Sequence, residues 1–403
     1  MVGLALRNLA RQKLRSGITL GAIVFGVAGL VLTGGFVRDM FIQLGEALIH
    51  SQSGHLQIAR TGYFEHGARA PERYRITDPE DARSLLAAIP GVDDVMARLD
   101  FSGLINNGRT DWPVFGQGVE AGKEARLGTY LRVIAGRMLT DRDRFAVTVG
   151  QGVAQVLKLR PGDQITLLVN TAEGSLNTAE FEVVGTFATF SRDFDARAVR
   201  IPLAAALDLL GTNGVNTLVV SLRDTAGTAA LAASISGRFG SRPLEVRTWR
   251  ELNDFYEKTV QLYQTQFGVL QAITLAMVLL SVANTVNMSV FERTGEFGTM
   301  MALGNRKRDI VGLVLTESAL LGLIGSVVGI ALGAVLALVI SAVGIPMPPP
   351  PNANLGYRAF IRLVPEVIAL AAGVGFMATV AAALLPAIRV SRVPVAEALR
   401  ANI

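Results

Sequence analysis

SGITLGAIVFGVAGLVLTGGFV, residues Ser16 to Val37, carries no charged side chain and is long enough to cross a bilayer as a helix. Three further stretches share that character: at least Phe267 to Val290, Ser318 to Ala342 within a segment assigned to 310–342, and Val367 to Ile388. A hydrocarbon core of about 30 Å demands roughly 20 apolar residues of a helix, and each stretch supplies them. One span lies early and three lie late, so residues 38–258 read as an extramembrane insert between the first two. The expected fold is therefore an α-helical membrane protein with four transmembrane helices, at 16–37, 267–290, 310–342 and 367–388. Between helices 1 and 2 it carries a large α+β extracytoplasmic domain of two subdomains. A secretory signal peptide is a poorer reading of the first stretch, because its apolar run is too long and no small-x-small site follows Val37.

Short basic flanks set the orientation, since Lys and Arg are retained on the cytoplasmic side. Arg7, Arg11, Lys13 and Arg15 place segment 1–15 inside. Arg293, Arg306, Lys307 and Arg308 do the same for the turn 291–309, and Arg389, Arg392 and Arg400 for the tail 389–403. The insert and the Pro-rich loop 343–366 then lie on the far side of the membrane. Half of the 403 residues are apolar and the net charge is +5, concentrated at these flanks, which argues for lipid and against a nucleic-acid face. The absence of cysteine excludes disulfides, thiolate zinc sites and cysteine catalysis. The histidines, His50, His55 and His66, form no i, i+4 pair and lack a carboxylate constellation. They read as surface residues, with neither metal nor catalytic site expected.

The insert alternates strand-like and helix-like patterns, and at about 220 residues it can bury its own core. Strands are expected at Gly54–Ile58, Val114–Val119, Ala146–Val149, Gln164–Val169 and Phe181–Phe187. Asp78-Pro79 followed by Asp81 starts a helix that runs to about Ala88 and is stopped by Pro90-Gly91. Arg160-Pro161-Gly162-Asp163 is a turn. Thr217–Leu222, Thr225–Phe239 and Leu244–Arg247 form a β-α-β pattern, and the second subdomain is closed by chain returning from both ends of the insert.

Residues 38–51 and 251–266 keep helical spacing and extend the first two spans outward. Phe36, Met40 and Leu44 recur every four residues, and Phe255, Leu262 and Tyr263 lead into Phe267. Such a stripe is either ordinary helix packing or an apolar wall facing a cargo cavity open to the outer leaflet. Inside the spans the polar residues are Asn284, Thr285, Asn287 and small hydroxyls, with no charge at a midplane position, which disfavours ion-driven transport. Glu317 either reaches the membrane interface, the favoured reading, or is paired within the bundle. Gly325, Gly329 and Gly333, continued by Ala337, put small residues on one face of the third span, where another helix can approach closely.

The turn between the second and third spans is the most patterned segment. Glu296 favours a helix N-terminus, Phe297, Met300, Met301 and Gly304 follow helical spacing, and Gly304-Asn305 can end that helix before the next begins. A short amphipathic helix results, either an interfacial anchor or a knob for a cytoplasmic partner's groove.

At Glu292, Arg293, Glu296, Phe297, Gly298, Ala302, Leu303, Gly304, Arg306 and Arg308 the chain resembles the FtsX-like, or MacB-like, permeases of ABC transporters. Leu6-Arg7-Asn8-Leu9, Gly54–Ile58 and Pro394–Arg400 extend the resemblance. It implies that residues 291–309 form a coupling helix seated in a separate cytoplasmic ABC ATPase, and that a second permease subunit, the same or paralogous, completes the assembly. ATP and Mg would be bound by the ATPase, and this chain would be no enzyme and hold no cofactor. Consistently, no G-x-x-x-x-G-K-[ST] phosphate loop occurs.

Within the family, 162–187 looks most like the lipoprotein-releasing permeases LolC and LolE. That implies extraction of a lipoprotein or lipid-like cargo from the outer leaflet of the inner membrane. It also makes Glu173, Gly174, Ser175 and Leu176 the tip of a hairpin that could dock a periplasmic carrier. The family allows two further readings: MacB-like mechanotransmission to a periplasmic substrate, and FtsX-like regulation of a cell-wall hydrolase.

Overall fold

The computed structural model describes residues 3, 7, 13–67, 69–171, 173–240, 242–349 and 356–394. Arg11, the tail from residue 395, and the side chains of Lys13, Arg15 and Phe255 lie outside the described residues.

Helix α1 (Lys13–Leu48) opens the described chain and ends in a π-helical turn, Ile49–Ser53. There follow β1 (Leu56–Arg60), α2 (Pro79–Ala87), β2 (Val92–Asn106), β3 (Asp111–Val119), α3 (Ala121–Leu127), β4 (Arg132–Gly136), β5 (Ala146–Gly150) and α4 (Gln151–Leu157). Next come β6 (Gln164–Asn170), β7 (Leu176–Ala188), β8 (Ala198–Pro202), α5 (Leu203–Leu210), β9 (Thr217–Leu222), α6 (Thr228–Phe239) and β10 (Leu244–Thr248). The chain then returns to long helices: α7 (Asp254–Glu292), the short α8 (Thr294–Ala302), α9 (Lys307–Val343) and α10 (Pro365–Ser391). Helices α1, α7, α9 and α10 are long and apolar enough to cross a membrane.

Two compact units emerge, one made of Met1–Phe41, Thr259–Pro346 and Arg358–Ile403, the other of Ile42–Lys258 and Met347–Tyr357. In the helical unit the glycine row of α9 lies against α1. A Cβ on Gly325 would stand 2.7 Å from Ile23 Cγ2, one on Gly329 2.8 Å from Val27 Cβ and 3.0 Å from the Val24 carbonyl, and one on Gly333 3.1 Å from Val31 Cβ. Close approach of this kind supplies the dispersion contact that replaces a hydrophobic driving force in lipid. Gly375 of α10 meets the other side of Val27, so one valine is gripped by two helices. Farther along α1, buried Asp39 accepts from the Phe360 amide at 2.9 Å and from Arg362 Nε at 2.7 Å, tying the segment before α10 to the first helix.

The second unit is built on one ten-stranded mixed sheet, ordered β10-β1-β9-β2-β3-β8-β5-β7-β4, with β6 pairing β2 and β7. The two expected parts of the insert therefore share a continuous sheet, each with its own core. One core gathers Leu56, Ile58, Val95, Ala97, Leu218, Val220, Ile235 and Phe239, from both ends of the insert. The other gathers Leu99, Phe101, Val147, Val149, Phe181, Val199 and Ile201. Strand β2, 15 residues long, bridges them, pairing β9 with its first half and β3 with its second. Helix α2 starts with Asp78 at the N-cap and Pro79 at the first position, though the Asp78 side chain makes no capping bond. The 160–163 turn closes with Asp163 N donating to the Arg160 carbonyl at 3.1 Å, with Gly162 at φ 96°.

Substituting leucine for Gly329 forces Val27 and the Val24 carbonyl apart, an overpacking cost of about 1–3 kcal/mol. Gly329→Leu is expected to lower the melting temperature of the detergent-solubilised protein by several degrees. Gly373→Leu, with open space around its Cβ, should leave it unchanged.

Candidate functional sites: the inner turn and the helix foot

Helix α8 is held by an ion-pair and aromatic clamp. Arg293 Nη1 donates to Glu317 of α9 at 2.8 Å, its Nε donates to Glu296 at 3.1 Å, and its guanidinium lies 5.0 Å over the Phe297 ring. Of the two places the sequence leaves for Glu317, the structure shows the paired one, because Arg293 is buried and needs a counter-charge. Phe297 faces inward and is fully buried among Ile23, Val286, Ile310 and Ala387, so it packs its own chain instead of presenting a knob. Met300 and Met301 are half-buried on the rim of that core. The surface left open consists of Glu292, Leu303, Gly304, Arg306 and Arg308, together with Phe291; Leu303 is 82% and Phe291 77% exposed. Gly304, at φ 100°, ends α8, and Asp309 closes a capping box on the Arg306 amide at 2.8 Å to start α9.

The residues assigned to a cargo wall separate into two groups. Phe36, Tyr263 and Phe267 come together, with ring centroids 6.4 Å apart for Phe36 and Phe267 and 6.3 Å for Tyr263 and Phe267. Leu262 is exposed beside them. Met40 and Leu44 are buried and serve as packing, not as an open wall. The 164–188 hairpin pairs Asn170 with Leu176 and turns through five residues, with Thr171 N donating to the Ser175 carbonyl at 2.8 Å and Gly174 at φ 83°. Glu173, Gly174, Ser175 and Leu176 are exposed on an ordinary tight turn.

A second constellation escaped the sequence reading. Where the π-helical turn ends, the carbonyls of Ser51 and Gln52 have no partner within the helix and carry the negative end of its dipole. Two buried arginines reach them from the sheet. Arg98 of β2 donates from Nη1 to Gln52 O at 2.5 Å, and Arg200 of β8 from Nη2 to Ser51 O at 3.3 Å. Glu124 of α3 neutralises the cluster, accepting from Arg98 Nε at 2.5 Å and Nη2 at 2.9 Å, with Arg200 at 3.9 Å. Burial would raise the Glu124 carboxyl, but the charges of Arg98 and Arg200 hold it below its ordinary value. Beside it Asp100 accepts from Tyr63 and, at 3.0 Å, from Gln117 Nε2. Trp249 closes the foot by lying flush with Gly45, where a Cβ would stand 2.7 Å from the ring.

His55 is buried, contrary to its reading as a surface residue. Its Nδ1 accepts from the Leu222 amide at 3.1 Å, so the proton sits on Nε2 and donates to Thr225 Oγ1 at 3.1 Å. Burial, reinforced by the nearby His50, pushes His55 down to about 4. His50 is half-buried against Glu46 and the Leu127 carbonyl, and only His66 is exposed. Among the described residues no group of His, Asp and Glu side chains could hold a metal ion.

Comparison with known proteins agrees with this geometry. Residues 16–238 match the MacB-like periplasmic core domain, and residues 268–395 the FtsX-like permease C-terminal domain. The chain belongs to this family of MacB- and FtsX-like permeases. It is 27% identical over 365 residues to the macrolide export ATP-binding/permease protein MacB of Bdellovibrio bacteriovorus, covering 84% of this chain and 54% of that one. It is 24% identical to an ABC transporter permease of Methanocaldococcus jannaschii over 85% of this chain and 84% of that one. It is 23% identical to the lipoprotein-releasing system transmembrane protein LolC of Neisseria meningitidis over 81% and 79%. The chain thus spans about half the length of the MacB relative it matches. Four spans around a periplasmic domain make it a multi-pass protein of the inner membrane, and the 291–309 turn, one crossing away from that domain, is cytoplasmic.

Glu124→Ala leaves two guanidinium groups buried without their counter-charge and is expected to destabilise the periplasmic unit by about 3–5 kcal/mol, measured by chemical denaturation. His55 titrates near 4 when folded and near 6.5 when unfolded, so the unfolded chain binds the extra proton between those values. Its contribution is complete above about pH 6.5 and is lost as the pH falls towards 4. In His55→Gln the melting temperature should depend less steeply on pH across that window.

Proposed function

We propose that this chain is the permease subunit of an ATP-driven transporter, in which an ABC-type ATPase seats on the turn 291–309 and a second permease chain completes the membrane assembly. The observation that carries this reading is the division of roles within the turn. Arg293, Glu317 and Phe297 lock α8 into the chain's own core, while Phe291 and Leu303 stand exposed near Arg306, Lys307 and Arg308. Exposed large apolar side chains on a rigid helical corner, next to basic residues, suit a groove on a soluble partner. The name of the Bdellovibrio relative joins ATP binding to a permease, which supports an ATPase as the companion function. ATP and Mg belong to that partner, since the present sequence has no phosphate loop.

The cargo we assign is hydrophobic, a lipoprotein or lipid drawn from the outer leaflet. Removing an acyl chain of about fourteen carbons from lipid costs roughly 11 kcal/mol, so a site must shield it. The aromatic cluster of Phe36, Tyr263 and Phe267 and the exposed apolar residues Leu262, Leu270, Ile273 and Met277 of α7 support such shielding. A second reading, mechanotransmission to a periplasmic substrate, is favoured by the short 171–175 turn, which is too small for a carrier hook, and by the export function in the MacB relative's name.

Leu303→Glu, alone or with Phe291→Glu, is expected to abolish co-purification of the ATPase in mild detergent while the periplasmic unit stays folded; full retention of the ATPase overturns the proposal. In the assembled complex Phe267→Asp should stop release of lipid-anchored cargo. Unchanged release alongside lost export of a soluble periplasmic substrate selects the second reading.

A further inference from the structure

Arg200 has more hydrogen-bonding capacity than its surroundings use. Its guanidinium is buried, 2% exposed, yet it makes one hydrogen bond, 3.3 Å to Ser51 O; Glu124 stands 3.9 Å from its Nη1, and the Phe187 and Phe194 rings lie 5.3 Å and 5.9 Å away. No protein group accepts from its Nε. Burial lowers the group to about 10, with the Glu124 charge opposing the shift and the Arg98 charge adding to it. Strand register places Gln117 and Thr148 on either side of it, and Gln117 Oε1 and Thr148 Oγ1 are also buried without a partner. Three adjacent orphaned polar atoms in one row of a sheet are uncommon, because a buried polar group left without a partner is destabilising.

Arg200 also lines a cavity of about 100 Å³. Its floor is Glu124, Arg200, Val119 and Leu139, all buried, and its mouth is bordered by exposed Ala125 and half-buried Met138. Both oxygens of Glu124 accept from Arg98, and the 3.9 Å to Arg200 Nη1 is too long for a hydrogen bond, so Glu124 shares its charge with Arg200 but leaves the Arg200 Nε donor unfilled. An apolar cavity of about 150 Å³ accepts benzene, so this one suits a body of roughly four to six heavy atoms.

We infer that this cavity is a binding site for a short aliphatic carboxylate, whose head group takes the unused donors of Arg200 and whose chain lies along Val119, Met138 and Leu139. A planar guanidinium edge matches a carboxylate, and the apolar walls reject a bare inorganic anion. Arg200 also holds the Ser51 carbonyl, so occupancy braces the point where the first helix meets the sheet.

Butyrate titrated into the detergent-solubilised full-length protein, followed by calorimetry, tests this, with n-butanol and inorganic phosphate as controls. Saturable butyrate binding is expected, with neither control binding. Arg200→Gln should weaken it at least tenfold. Ala125→Trp, which blocks the mouth without touching the floor, should remove it at an unchanged melting temperature. Absence of butyrate binding, equal binding of butanol, or undiminished binding by Ala125→Trp would overturn the site.

Discussion

Two arginines and one glutamate, sealed from solvent, hold the end of the first long helix to the periplasmic sheet. Burying that many charges is costly, and the cost is met only because each finds a specific partner: the carbonyls of Ser51 and Gln52 at a dipole end, and the Glu124 carboxylate between the guanidinium groups. Replacing such a cluster by apolar side chains is often neutral or stabilising, whereas removing one member leaves a buried charge unmet. The fixed element is the foot of α1, set against β2 and β8 at the middle of the sheet.

The helical unit relies on a different economy. In lipid there is no hydrophobic gain from bringing helices together, so contact must come from close packing and paired polar groups. The glycines of α9 admit the valines of α1, and the Arg293–Glu317 pair with Phe297 stiffens the inner turn. Outside these contacts α7 is the least buried of the four long helices, which leaves apolar surface for lipid or for another chain.

How much of this was legible in the sequence depended on whether a single rule governed the segment. The spans were, because lipid imposes length and apolarity on every residue. Thr217–Leu222 and Gln164–Asn170 were, because alternation and turn residues mark them. Strand β2 was not, although it is the longest in the sheet: Val95, Ala97, Leu99 and Phe101 face the cores while Arg98 and Asp100 point the other way and are equally buried. A strand with charges on a buried face looks like a loop, since only the tertiary partners explain them. The same blindness hid Glu124 and Arg200. At the inner turn, spacing marks the helix but not its rotation, so it reveals neither that Phe297 turns inward nor which of its two places Glu317 takes. The signal that could have revealed both is the i, i+4 placement of Arg293 and Phe297, a ring within reach of a cation that needed an acid on the next helix.

The most direct test of the joint uses the absence of native cysteine, which lets a pair of introduced cysteines carry spin labels without background. Labels at Ile42 on the helix and Arg223 just beyond β9 report the distance between helix foot and sheet by electron double resonance. The measurement is made on the protein assembled with the proposed ATPase, with and without nucleotide. A single narrow distance, the same in every nucleotide state, is what a rigid foot predicts. A distance that broadens or shifts when ATP binds would contradict it.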